Sequence, residues 1–214
     1  MRRRAVLAGV PSALLFSGCT ELLAQNEADF EAERAVVDES ARSEANYTEA
    51  NRTENTVERN YETVDRTVVV INKLTEYSKA LDLPLDVNGD LARFTVLASP
   101  GVTLVEGNPA NPIEDMSRDE LAMRVQQQYE TIENVEALDE REAELLGETV
   151  TVGRYEADAE TGGTSTKVNL HVAKGRSERS DGGPDFIVTV GVHPSDVDEQ
   201  DNVDRMNEGV EHPT

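Results

Sequence analysis

Apolar and polar positions alternate over much of the chain, and breaks in that alternation mark its elements. Val57, Arg59 and Tyr61 alternate with polar residues, and a short break at 63–65 leads into the apolar run Val68 to Ile71. That pattern predicts a hairpin whose second strand is buried on both faces. Phe94, Val96 and Ala98 predict the next strand, stopped by Pro100-Gly101, with a short strand at 102–105. Val168, Leu170 and Val172 alternate, as do Phe186, Val188, Val190 and Val192, with a polar loop from Lys174 to Pro184 between them. Val150 and Val152 share a phase that Tyr155 and Ala157 break, so a β-bulge is expected at Gly153. Phe30 to Val37 reads as a first strand, and Pro84 with Asn88-Gly89 as a loop.

The period changes to that of a helix after the prolines Pro109 and Pro112. Ser117-Arg118-Asp119-Glu120 is a capping box, with Met116 and Leu121 placed as its hydrophobic staple. Leu121, Val125, Tyr129 and Ile132 then form one apolar stripe. Val203, Met206 and Val210 predict a short closing helix begun near Asp201. The acidic stretch 135–146 shows no apolar period and reads as a connection that turns at Gly147. This order of elements predicts an α+β domain: a single antiparallel sheet with helices on its faces, similar to a PsbP-like sandwich. Residues 30–212 form that one domain.

Residues 1–18 read as a signal peptide. Arg2, Arg3 and Arg4 precede a mostly apolar stretch that ends at Phe16. It is too short for a bilayer, which needs about 20 residues, but suits a signal peptide. Arg3 and Arg4, followed by Ala5-Val6-Leu7, form a twin-arginine export motif; a general secretory signal is the alternative. Phe16-Ser17-Gly18-Cys19 resembles a lipobox, with Phe16 in the usual place of leucine. Cys19 is the only cysteine, so it forms no internal disulfide and is expected to carry a lipid, with 19–29 as the tether. The protein is then expected at the cell membrane, lipid-anchored on its extracellular face. Asn46-Tyr47-Thr48 and Asn51-Arg52-Thr53 are N-glycosylation acceptors, at Asn46 and Asn51, on that exported side.

Charge adds the environment. Asp and Glu number 43 against 20 Lys and Arg, for a net charge of −23, and tryptophan is absent. Dispersed carboxylates, scarce lysine and a lean core fit molar salt, where the screening length falls to about 3 Å. A halophilic archaeon is the expected source. Nucleic acid is excluded as a partner because no basic patch exists to neutralise phosphates.

No stretch carries a catalytic motif. His171, His193 and His212 are not at metal-ligand spacing. His171 and His193 fall on the polar phase of their strands and would not lie opposite each other, so surface or half-buried histidines are expected. Asp86, Asn88 and Asp90 imitate a calcium loop, but Leu91 and Leu97 stand where Gly and Glu are required. A loop from Asp196 and Asp198 fails likewise. No metal, cofactor or catalytic residue is assigned.

Three stretches, Asn111-Pro112-Ile113-Glu114-Asp115-Met116-Ser117, Phe94-Thr95-Val96-Leu97, and Phe186 through Glu208-Gly209-Val210-Glu211-His212, together with the export segment, carry a family likeness. The chain resembles a family of haloarchaeal lipoproteins known only as a domain of unknown function. The resemblance implies an exported, lipid-anchored archaeal surface protein and transfers no activity. The expected function is a non-enzymatic binding or scaffolding module of the cell envelope. Its partners are the membrane, through Cys19, and an envelope protein or glycan. The alternative is a carboxylate-dependent envelope hydrolase. A solute-binding component is a third reading, disfavoured because one small domain lacks two lobes.

Overall fold

The computed structural model describes residues 27–61, 66–81, 92–105, 108–109, 111–128, 132–161 and 164–213. Strands β3 (Thr48–Tyr61) and β4 (Arg66–Lys79) form the predicted hairpin. Consecutive Val68, Val69 and Val70 are all buried, so β4 is covered on both faces. β4 has three partners. β3 occupies one edge throughout, so β1 (Glu27–Glu31) and β5 (Ala92–Pro100) share the other. β1 runs parallel against Thr67–Ile71, and β5 runs antiparallel against Lys73–Lys79. β1 begins inside the stretch read as a tether, and its Ala28 is buried.

The sheet continues from β5 through β11 (Pro184–Pro194), β10 (Thr164–Glu178) and β9 (Glu148–Thr161) to β8 (Ile132–Leu145) at the far edge. Two short pairs complete the strands: β2 (Val36–Val37) with β12 (Val210–Glu211), and β6 (Thr103–Val105) with β7 (Asn108–Pro109).

This corrects the expected fold class. Among the described residues strand far outweighs helix, around an eight-stranded mixed sheet, rather than a single antiparallel sheet of PsbP-like form with helices on its faces. One reason is the parallel entry of β1, which no local pattern announces. The other is β8, the acidic stretch without an apolar period, which is a 14-residue strand. The loop between β10 and β11 is also shorter than expected, because β10 runs on to Glu178.

Among the described residues the two larger of three buried clusters lie on opposite sides of the sheet, as the alternation along its strands requires, and the third gathers Val68, Val70 and Val102. Helices α1 (Glu39–Ala45) and α4 (Gln200–Glu208) pack over the first. There Ala41, Ala45, Val203 and Met206 meet Phe94, Val96, Val152, Ala173 and Ile187. Gly191 on β11 gives α4 its seat: a β-carbon there would come within 2.9 Å of Val203 Cγ2. Helices α2 (Pro112–Asp115) and α3 (Arg118–Gln128) serve the second core, where Ile113, Leu121 and Ala122 meet Tyr155, Leu170, Val172, Phe186 and Val188.

The phase break on β9 is therefore not a bulge at Gly153. β9 pairs with β10 without interruption from Gly153 to Thr161. Val152 serves the first core, while Tyr155 and Ala157 serve the second. The bulges are in the partner, β8, between Glu133 and Glu136 and between Ala137 and Asp139. Gly153 has a different use. The Tyr155 ring lies across it, so that a β-carbon there would meet the phenol oxygen at 2.7 Å.

Candidate functional site

Cys19, Arg3 and Arg4 lie outside the described residues, as does the calcium-like loop at 86–90. Asn46 is the exposed left-handed residue that ends α1, with φ 59°. Asn51 is exposed on β3, where its amide nitrogen donates to Glu76 Oε2 at 3.2 Å. Asp198 turns the chain into α4, accepting from the Gln200 N–H. Among the described residues no helix is long and apolar enough to cross a membrane. Nor do three or more His, Cys, Asp or Glu among them converge as metal ligands.

The histidines are where the structure departs most from expectation. His171 on β10 and His193 on β11 are 1% and 2% exposed, and their Nε2 atoms are 2.9 Å apart. The register pairs Asn169 with His193 and His171 with Gly191, so the two are diagonal rather than opposite. Diagonal neighbours on one face are within reach of long side chains, a signal that register reasoning could have used. Their rings stack with centroids 5.1 Å apart.

The neighbours fix the tautomers. Arg141 Nη1 lies 2.9 Å from His171 Nδ1, and a guanidinium can only donate, so that nitrogen accepts. The His171 proton is then on Nε2 and is donated to His193 Nε2. His193 Nδ1 in turn donates to the Pro194 carbonyl at 2.9 Å. Arg141 is anchored by Asp204 of α4, whose carboxylate accepts from Nε at 2.9 and 3.0 Å and from Nη2. Burial, then the Arg141 charge, pushes the His171 imidazole down to about 3; burial also lowers His193. Both rings floor a polar cleft of about 290 Å³ bordered by Arg154, Asn169 and the 195–200 loop. Every ring nitrogen of the pair is engaged, so neither histidine offers a free lone pair. A metal on His171 Nε2 would require a proton on Nδ1, pointing at Arg141. The pair ties β10 and β11 to β8 and α4.

A larger concavity, about 410 Å³, lies where α2 gives way to α3. Asn111 holds the start of α2: its Oδ1 accepts from the Ile113 N–H at 3.0 Å, and its Nδ2 donates to Ser99 Oγ and the Pro100 carbonyl. Lys174 holds the end, its ammonium donating to the Glu114 and Met116 carbonyls at 2.6 and 3.0 Å. The same ammonium lies 5.5 Å from the centroid of the Phe186 ring, and burial lowers its pKa. The predicted capping box closes around Ser117: its N–H donates to Glu120 Oε2, and its Oγ accepts from the Glu120 N–H. α3 thus starts at the rim with its positive dipole end.

Arg118, Lys174 and Arg176 line this concavity beside Met116, Val150 and Phe186, and no acidic residue is among its described lining. Arg118 Nη2 reaches Glu140 at 2.7 Å while its buried Nε has no partner. Arg176 meets Glu178 only at 3.4 Å in an exposed pair, which contributes little. Arg118 on α3 is 56 and 58 residues from Lys174 and Arg176, which are neighbours on β10, and no local motif unites the three.

The family described as Domain of unknown function (DUF6517) matches residues 34–211. No curated protein matches the chain significantly.

Proposed function

The chain thus belongs to the DUF6517 family, whose description assigns no activity, and we propose that it is a lipid-anchored binding module on the extracellular face of a halophile's cell membrane. The observation that carries the binding role is the larger concavity. In a chain of net charge −23, three cations and an apolar floor meet there without an acidic residue among the described lining. A surface selected only for hydration at high salt has no reason to gather its few cations around an indentation. The alternative, a hydrolase working through paired carboxylates, needs two acids facing across a concavity; this one has none in its described lining, and the cleft over the histidine pair has Asp196 and Asp198 side by side on one loop. Lipid on Cys19 supplies the membrane partner. An envelope protein or glycan is the second.

Affinity capture from the protein's own membranes in molar KCl tests the reading. The wild type should retain an envelope component that an Arg118→Gln, Arg176→Gln double variant loses; equal retention by both removes the concavity from the function. Cys19→Ser should release the protein from membranes or leave it unprocessed, and normal processing with undiminished membrane retention would refute the anchor.

A further inference from the structure

We infer that the concavity at the start of α3 takes an amphiphilic anion, a phosphate or carboxylate headgroup on an apolar body; this rests on the binding role proposed above. The lining divides into two kinds of surface. Arg118 and Arg176 bring guanidiniums, whose donors beyond those given to Glu140 and Glu178 suit hydrogen bonds with such headgroups. Met116, Val150 and Phe186 bring apolar area that a bare inorganic anion leaves uncovered. Lys174 has a different part. Two of its three donors are committed to the carbonyls of Glu114 and Met116, so it positions α2 and holds a fixed positive charge over Phe186.

High salt sharpens the choice of ligand. With a screening length of about 3 Å, attraction reaches only groups in contact, and chloride competes for exposed guanidiniums. Apolar burial is not screened. A ligand able to win in molar KCl must therefore combine contact with the arginines and an apolar body of its own, packed on the floor that Met116 and Val150 form beside the buried Phe186. The amino end of α3, with its capping box closed, adds partial positive charge at the same rim.

The test is calorimetric titration of the full chain in molar KCl with inorganic phosphate, phenyl phosphate and dihexanoyl phosphatidic acid. Phenyl phosphate should bind at least about tenfold more tightly than inorganic phosphate, from burial of its ring. Arg118→Gln and Arg176→Gln should each weaken phenyl phosphate about tenfold. Arg52→Gln, which removes an equal charge from exposed β3, should leave it unchanged. A preference for dihexanoyl phosphatidic acid assigns the site to lipid headgroups; a preference for phenyl phosphate assigns it to soluble organic anions. Equal binding of phenyl and inorganic phosphate, an Arg52→Gln loss as large as that of Arg176→Gln, or no binding of any probe overturns the inference. If no probe binds while membrane capture still depends on Arg118 and Arg176, the binding role stands and only the ligand class falls.

Discussion

Two buried polar clusters show how single residues hold this molecule together. Asp185, with no exposed side-chain surface, accepts from the Glu33 N–H at 2.7 Å, Arg179 Nη1 at 2.9 Å and His212 Nε2 at 3.0 Å. Those donors come from the segment after β1, the β10–β11 turn and the residues after β12, so one carboxylate joins three segments, beside the direct bonds of Ser180 to Glu33 and of Ser177 to His212. Removing the carboxylate takes that acceptor from the Glu33 N–H and from His212, while Arg179 keeps Asp181 and the Pro184 carbonyl. Asp185→Ala should cost about 1–3 kcal/mol, read by urea denaturation in molar KCl, and Asp185→Asn should cost less because one acceptor oxygen remains. A loss below about 1 kcal/mol for the alanine variant would contradict this account. The His171–His193 pair sets a pH dependence. Both imidazoles face Arg141 and Arg154 or each other, and the acids near His193, Glu199 and Asp198, do not outweigh burial. In the unfolded chain they titrate near the ordinary value of about 6.5, whereas folded His171 resists protonation down to about 3. Between those values the unfolded state binds the extra proton, so stability falls as pH drops from about 6.5, by about 1.4 kcal/mol per pH unit for each proton. The melting temperature should already decline between about pH 6.5 and 5, before most carboxylates titrate; a flat profile there would show that the pair is not held neutral.

At the scale of elements, packing is decided by small residues as much as by large ones. Gly209 ends α4 at φ −79°, a conformation open to any residue, so its role is steric. A β-carbon there would overlap Ala41 of α1 and crowd Asp38, the residue that caps α1. Gly209→Ala should therefore cost about 1–3 kcal/mol by separating α1 from α4, and a melting temperature equal to the wild type's would disprove that contact. The same economy explains what the sequence made legible. α3 announces itself because a capping box is a local device that works wherever the segment packs. α1 does not: its buried face is only Ala41 and Ala45, too little apolar pattern to stand out among acids. β8 was hidden for another reason. Its first half packs with α3 through Ile132 and Val135, and its second with α4 through Ala143 and Leu145. The switch of faces, with two bulges, erases any period. β9 switches with it at Gly153, which made a straight strand look bulged. The histidine pair depends on cross-strand register, and the basic concavity joins α3 to β10, so neither has a local signature.

For the molecule as a whole, charge sets the conditions under which the fold persists. The net charge of −23 is not spread evenly in consequence. β8 is an edge strand carrying six acids, and its register with β9 places Glu133 opposite Asp158 and Glu136 opposite Glu156. Like charges directly opposite destabilise a ladder. Lys167 on β10 compensates both, with Nζ 3.1 Å from Glu156 and 3.1 Å from Asp158, but one exposed lysine cannot neutralise four carboxylates. Molar salt supplies the rest. When KCl is lowered from about 1 M to about 0.1 M the screening length rises from about 3 Å to about 10 Å, the scale of neighbouring strands, and repulsion across the β8–β9 pair returns. β5 and β11, in the middle of the sheet and covered on both faces, carry no such ladder of acids. Lowering salt should therefore open the molecule from the β8 edge inward. Hydrogen exchange should accelerate first at Ile132–Leu145 while β5 and β11 stay protected, and Lys167→Gln should move that opening to higher salt. Simultaneous loss of protection across β8 and β11 would mean that salt acts on the whole fold at once, through general self-repulsion, and not through this edge.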